Sequence, residues 1–450
     1  MVRAFVVFLV FVLIVAFAFA QAPVAGVGPG STAVGLVVRL DGSVVVAGIT
    51  QGSQFGRPSQ GGLDAFIAWL TPDGELDRVV QFGTEGDERV GSLVLDEQGN
   101  VYVAGDSTVQ LPFATGSGLQ FVVKLAADGE LLWARQLGGS ESYAPPAIAL
   151  DGAGNLIALG VILSDREKLY GRVGWQPFYD AYIAVLTPDG ELVGNLVFAI
   201  DATQAPTDVL PLPDGTLVVL GLKSSESFTG SSPELAHGFA ARVGLDGTVL
   251  GQANVTYPGD GTMPVRGFLL GDGERIAVTT GSGMGIGEPE DKPEPFHYSY
   301  YAALGVLGLD LEPVWMKAFG KASGYVGTDI TADIDGDLVL VGYGNGDVAG
   351  EPQGASDVFL GTYTADGERL WLVQYGTPEF DLGNGVAISG DGTIYVVGSW
   401  DGGWENFVYG LPGVVLELGT SWFIAAHAPD GEMLWMRIYT ATDEGSSGKP

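Results

Sequence analysis

The stretch DAFIAWLTPDGELDRVVQFG, from Asp64 to Gly83, sets two strand-length apolar runs on either side of an Asp-Gly turn. Asp73 can bond its own backbone and Gly74 can take positive φ, which is the chemistry of a tight hairpin. The stretch recurs as LQFVVKLAADGELLWARQLG from Leu119 and as DAYIAVLTPDGELVGNLVFA from Asp180. More divergent copies begin at His237, Tyr301, Asp357 and Ser421, each with an Asp nine residues on, at Asp246, Asp310, Asp366 and Asp430. Between the copies lies a second element, clearest as SLVLDEQGNVYVAG from Ser92 to Gly105. Its closing glycine recurs at Gly48, Gly105, Gly160, Gly221, Gly281, Gly342 and Gly398, at spacings of 57, 55, 61, 60, 61 and 56 residues. Both landmarks count seven, and a period of this size marks a repeat architecture.

Each period reads as four short strands. In the second unit these are Gly91 to Asp96, Asn100 to Gly105, Gln120 to Leu125 and Glu130 to Leu137. Asp-Gly turns such as Asp128-Gly129, Asp189-Gly190, Asp391-Gly392 and Asp430-Gly431 separate them, and helical periodicity is absent beyond the amino terminus. Four-stranded sheets repeated radially describe an all-β, seven-bladed β-propeller of antiparallel blades, which closes into a ring and so protects its edges. The first strand is expected near Thr32 to Arg39 and the last near Glu432 to Tyr439. Seven complete units then occupy 32–440 with no strand borrowed across the closure, although N-terminal residues could add an extra edge. Residues 21–31 read as a linker and 441–450 as a polar tail.

Composition limits what such a protein does. Among 450 residues, 54 Asp and Glu against 20 Lys and Arg leave a net charge of −34. That field repels phosphate backbones and no basic cluster reverses it, so nucleic acid is excluded as a partner. A charged fraction of 16% with 46% hydrophobic residues argues for a folded chain. The absence of cysteine removes disulfides, thiolate metal sites and cysteine nucleophiles. At the amino terminus, Met1-Val2-Arg3 precedes an apolar run from Ala4 to Phe17 and a small-x-small site, Ala18-Phe19-Ala20. Residues 1–20 therefore read as a secretory signal peptide, with an uncleaved anchor as the competing reading. The mature chain is expected to be secreted, periplasmic or at the cell surface, without a membrane span and as a monomer.

The pattern D-A-F-x-A-x-L-x-x-D-G-x-L-x-W, then F-G, an apolar strand, D-x-x-G-N and V-Y-V-x-G resembles the seven-bladed beta-propeller repeat (SBBP) family of bacterial exported proteins. The units at Asp64, Asp357 and Ser421 fit well, and those at His237 and Tyr301 loosely. The resemblance spans nearly all of the mature chain. It implies the propeller architecture and little about activity.

Most of the repeated residues have a packing explanation. Trp133, Trp315, Trp371 and Trp435 share one fourth-strand position, held elsewhere by Arg78, Gly194 and Gly251, as blade-on-blade packing would require. The alternating Asp333, Asp335 and Asp337 invite a calcium reading, but they align with the ordinary turn Asp96 to Asn100 and no bidentate Glu follows. No cofactor or metal is indicated, and calcium is the one that stays open. The three histidines, His237, His297 and His427, do not converge, and no hydrolase or nucleotide motif is present.

Candidate function collects on one face. Links between second and third strands are long, spanning about Asp106 to Gly118, Val161 to Tyr179, Leu222 to Leu235, Ser282 to Ser299, Tyr343 to Ser356 and Ser399 to Thr420. Insertions on a single face commonly mark a binding surface. Three of them are rich in aromatics, represented by Trp175, Tyr298 and Trp404, which either contact a ligand or anchor the loops. Aligned first strands place Asp208, Arg266 and Asp329 at one position of successive blades, where the others have Gly35, Ser92, Ala147 and Gly385. Such an arc is either a polar ligand site at the funnel mouth or a charged cluster joining blades. The reading favoured is a non-catalytic exported propeller that binds an extracellular protein or polysaccharide. The alternative is a carbohydrate-active hydrolase or lyase working with funnel carboxylates.

Overall fold

The computed structural model describes residues 30–441 except 54–55, 139–145, 164–178, 199, 201–202, 225–235, 256–265, 286–297, 320–324, 350–351 and 410–414. The segment expected to be a signal peptide, the expected linker up to residue 29, the expected polar tail from 442 and His297 lie outside the described residues. Among those described the chain is all β, in seven blades at 31–82, 88–137, 147–198, 203–254, 266–319, 325–375 and 380–440. Each blade is built on four antiparallel strands, from Ser31–Val38 as first strand of blade 1 to Met433–Thr440 as fourth strand of blade 7. No strand crosses the closure among the described residues. One pairing, Ser31 with Gly419, ties the first strand to the last blade.

Second and third strands are buried on both faces, as in Val44–Thr50 and Asp64–Leu70, because each blade is sandwiched between two others. This explains their unbroken apolar runs. Fourth strands such as Arg369–Tyr375 are partly open, which permits polar residues there. The core divides into seven apolar clusters, one per junction of neighbouring blades. Blades 7 and 1 share Trp422, Ile424, Val397, Phe66 and Val44, so the ring closes by the same packing that stacks its other members.

The tight links follow one design. The N–H of Thr71 bonds the carbonyl of Glu75 at 2.8 Å and the N–H of Gly74 returns to Thr71 at 2.9 Å, and the same two bonds recur from Arg39 to Ser43, from Ala126 to Glu130 and from Ala428 to Glu432. The glycine takes positive φ, 80° at Gly74, and the Asp accepts the N–H two residues on, as Asp41 does from Ser43 at 2.9 Å. Blade 5 departs from the rule. Leu311 stands at the glycine position with φ 68°.

The closing glycine of the second strand faces an aromatic ring across the third: Gly48 opposite Phe66, Gly105 opposite Phe121, Gly160 opposite Tyr182, Gly221 opposite Phe239, Gly342 opposite Phe359 and Gly398 opposite Phe423. A Cβ on Gly342 or Gly398 would strike the first-strand backbone. In blade 5 the register corrects the sequence alignment. Thr280, not Gly281, occupies this position, and it faces Ala303. Both residues of this pair are small and buried, so blade 5 has neither the glycine nor the aromatic ring of its sisters here.

The long links all leave from one face, opposite the tight turns. Strands run out into two of the expected links as ribbons: Arg275–Gly285 pairs with Tyr298–Gly308, and Ile394–Tyr409 with Val415–His427, while 286–297 and 410–414 lie outside the described residues. Blade 2 gains a short fifth strand, Thr115–Gly116, parallel to the outer edge of Leu131–Leu137.

Candidate functional site

First strands of successive blades touch one another around the whole ring, so they line the axis. Along them Leu36, Leu93, Ile148, Val209 and Val386 are buried in one junction, and the residues that follow, Val37, Val94, Ala149, Leu210 and Ala387, pack half-buried against the junction on the other side. The register places Asp208 opposite Leu220, Arg266 opposite Thr279 and Asp329 opposite Val341, equivalent to Gly35 opposite Ala47 and Gly385 opposite Val397. The three charged residues expected to share a position do share it. A strand irregularity just before Asp208 and Asp329 frees backbone N–H groups there.

Those N–H groups decide what the carboxylates do. Asp208 accepts from its neighbour Val209 at 2.9 Å and from Gly267 of the next blade at 3.0 Å. Asp329 repeats the arrangement with Ile330 at 2.9 Å and Val386 at 2.9 Å. Ser92 does the same for Ile148, more loosely, at 3.4 Å. These side chains therefore staple each inner strand to the next. Arg266 donates to the Thr207 carbonyl at 2.8 Å, and among the described residues no carboxylate lies within ion-pair distance of it. Burial pushes the Asp208 carboxyl up, and it pushes Asp329 to about 6 against the pull of its backbone donors and Arg266. The arc thus offers a guanidinium with spare donors between two acids that take up a proton more readily than exposed ones.

The aromatic candidates are less accessible to description. Trp175 lies outside the described residues; Tyr298 and Trp404 lie in the ribbons, where only the backbone is described. Trp400, at the base of the blade 7 ribbon, packs on Phe423 at 5.4 Å and Tyr375 at 6.5 Å. That ring anchors the link. The apolar and β-forming runs Phe407 to Tyr409 and Val414 to Leu416, around Leu411-Pro412-Gly413, were the available hairpin signal.

Sequence reasoning also missed three glutamines at one fourth-strand register that strap down the links of blades 1, 2 and 6. Gln81 donates to the Gly52 carbonyl at 3.0 Å and to Asp64 at 2.8 Å. Gln136 accepts from Leu111 and donates to Gly118, each at 2.9 Å. Gln374 accepts from Val348 at 3.1 Å and donates to Gly346 and Asp357 at 2.8 Å. Their signal is Gln, an apolar residue and Gly closing the outer strand at 81–83, 136–138 and 374–376.

His427 is buried beneath Tyr375, with Nδ1 3.2 Å from the Gly431 carbonyl, and burial holds its pKa below the usual value. It is part of the junction packing. Asp333 accepts the N–H groups of Asp335 at 3.0 Å and Asp337 at 2.9 Å, the same turn that Asp96 makes. Among the described residues no group of three or more metal-ligating side chains converges. A groove of about 530 Å³ between blades 2 and 3 is lined by Arg135, Gln136, Tyr182, Glu191 and Asn195.

No protein-family model matches the chain, and no curated protein is similar to it at a significant level. Solved structures are similar in fold. Kuenenia stuttgartiensis hydrazine synthase shares 14% identity with a TM-score of 0.48, over 84% of this chain and 96% of that one. The Neurospora crassa Pan2 WD40 domain shares 11% with a TM-score of 0.46, over 82% and 86%. An α-L-arabinofuranosidase from Fusarium graminearum shares 10% with a TM-score of 0.43, over 69% and 87%. The chain is a seven-bladed propeller. At these identities the likeness extends to architecture alone, and the SBBP resemblance rests on the sequence pattern.

Proposed function

We propose that the protein is an exported, SBBP-like, non-catalytic propeller whose link-bearing face binds an extracellular protein or polysaccharide. The observation that carries this reading is the asymmetry of the two faces. Tight turns close one side, whereas long links, two strand ribbons and the glutamine-strapped loops crowd the other. The Asp208, Arg266 and Asp329 arc lines the axis and supplies the polar contacts, with Trp175, Tyr298 and Trp404 on the surrounding links. Ligands expected on such a face are neutral or cationic, given the net charge of −34.

Screening the mature protein against glycan arrays and extracellular protein pools, with and without calcium, tests this directly. Shortening the blade 7 ribbon by removing 402–419 is expected to abolish capture while the fold persists. Arg266→Ala with Asp208→Ala should weaken binding at least tenfold; binding unchanged in both variants would remove the axial site and the ribbon from the interface. The hydrolase reading draws on one observation, the proton affinity of Asp329. Turnover of any oligosaccharide that Asp329→Asn eliminates would establish it.

A further inference from the structure

Two blade junctions hold a feature that the proposed binding role does not use. Asp64 opens the third strand of blade 1 and is fully buried; its Oδ2 accepts from the Gln60 N–H and from Gln81, each at 2.8 Å, while Oδ1 has no hydrogen-bond partner. Glu88, also fully buried, opens the first strand of blade 2. It accepts from the Thr84 N–H at 2.7 Å and from the hydroxyls of Thr84 and Ser107 at 2.6 Å. Between them stands Gly83. A Cβ there would collide with Asp64 Oδ1 and lie 2.8 Å from Glu88 Oε2, so both carboxyl oxygens border the one space that the missing side chain leaves.

The junction of blades 6 and 7 repeats this. Asp357 Oδ2 accepts from Gln353 and Gln374 at 2.8 Å, and its buried Oδ1 has no partner. Asp381 accepts from the Thr377 hydroxyl at 2.9 Å, the Thr377 N–H and the Asp401 N–H at 2.8 Å. A Cβ on Gly376 would collide with Asp357 Oδ1 and lie 2.8 Å from Asp381 Oδ2. The segments QFGTEGDE (81–88) and QYGTPEFD (374–381) place Gln, Gly, Thr and the second acid at identical spacing.

Two carboxylates this close, both out of water, cannot both stay charged without a counter-ion. No Lys or Arg pairs with either couple among the described residues. Arg89, next in sequence to Glu88, is bound to Asp106, and Asp87 spends Oδ1 on the Leu63 N–H at 3.0 Å. At the second junction Glu379 and Asp401 add only negative charge, and the titratable neighbours are Tyr375 and, through it, the buried neutral His427. We infer that Asp64 with Glu88, and Asp357 with Asp381, each share one proton in an acid–carboxylate hydrogen bond that joins neighbouring blades across the link glycine. Burial and the facing carboxylate raise the proton affinity of Glu88 and Asp381 in support. The two latches bracket the seam between blades 7 and 1.

The consequence is directional. The folded pair holds a proton that the unfolded chain releases above about pH 4, so stability falls as pH rises through the window between that value and the pair's own upper titration. Within it the folding constant drops about tenfold per pH unit for each pair. Replacing one acid by its amide supplies a permanent donor. Asp64→Asn and Asp357→Asn should therefore match the parent near pH 5, exceed it at pH 8, and each flatten the dependence of log K on pH by about one proton. Infrared spectra of the folded protein at neutral pH should show protonated carboxylic acid absorption that diminishes in each variant and further in the double variant.

Unchanged infrared absorption in the double variant, or amide variants destabilised equally at all pH values, would overturn the proposal. Stabilisation by calcium or sodium that both variants lose would also overturn it, since a metal ion would then hold the pairs in place of a proton. The binding screen reads a different property, so failure of one leaves the other standing.

Discussion

Asn100 and Asn155 close the first tight turns of blades 2 and 3 by donating their amides to Asp96 and Asp151, at 2.8 and 2.9 Å. Blade 6 has Asp337 at this position, which offers no donor at neutral pH. Burial, then Asp333 and Asp335, raise its pKa. Asp337→Asn restores the bond its sister turns make, and it is expected to stabilise the protein by about 1 kcal/mol. Asp335→Asn, at an exposed site, should change stability by less than about 0.5 kcal/mol. Urea midpoints measured with and without calcium check both, because a calcium-holding turn would lose rather than gain stability from Asp337→Asn in the presence of the ion. The turn was legible in the sequence because Asp and Gly act on their own backbone; the pairing of Asp337 with a lost amide needed only the alignment of repeats.

Between elements, the blades lock by a knob on a glycine. Trp133, Trp315 and Trp371 lie over Gly190, Gly367 and Gly431 of the next blade and donate their indole N–H to Pro188, Ala365 and Pro429 at 3.0, 2.9 and 2.8 Å. Trp435 lies over Gly74 in the same way and closes the ring, assisted by Tyr395 to the Pro72 carbonyl at 3.1 Å and by Tyr439 to Gly74. Where blade 4 has Gly251 in place of the Trp, blade 5 has Leu311 in place of the Gly, and its side chain is buried among Val218, Leu220 and Ala240. The larger side chain at this junction stands on the turn of blade 5, not on the fourth strand of blade 4. Leu311→Gly should destabilise by about 2–4 kcal/mol, the loss of a buried Leu being partly offset by relief at positive φ. Adding Gly251→Trp should recover at least half of that, and a double-mutant cycle in urea gives the coupling directly; additive effects would deny the exchange. The Trp register was readable as a packing signal. Its receptor was not, because the contact joins residues some fifty-five positions apart whose adjacency only stacked blades create.

For the molecule as a whole, acid and charge act together. Asp208, Glu88, Asp329 and Asp381 have raised proton affinities, so the folded state binds protons that the unfolded chain does not, and stability should rise as pH falls from neutral through about 6 toward 4. Relief of the −34 net charge adds in the same direction. Below about 4 the sign reverses, because turn residues such as Asp41, Asp246 and Asp391 are held ionised by their hydrogen bonds and must be protonated. Thermal midpoints across this range should therefore peak in mild acid, and added salt should raise the midpoint at neutral pH more than at the peak. A maximum at neutral pH or above would contradict the burial of these acids.

The repeat count, the four-stranded unit, the turn chemistry and the link-bearing face were all present in the amino-acid sequence, because they depend on residues within one strand or one hairpin. The shared position of Asp208, Arg266 and Asp329 was visible there too, since alignment within a repeat reports strand register. Other features required the closed ring. The inner acids spend their oxygens on the next blade's backbone, strands run out into two expected links, Thr280 and Leu311 stand where the other blades have glycine, and Asp64 meets Glu88 across a glycine. Each depends on what a neighbouring blade presents at a given height, and that is fixed by how sheets stack around an axis.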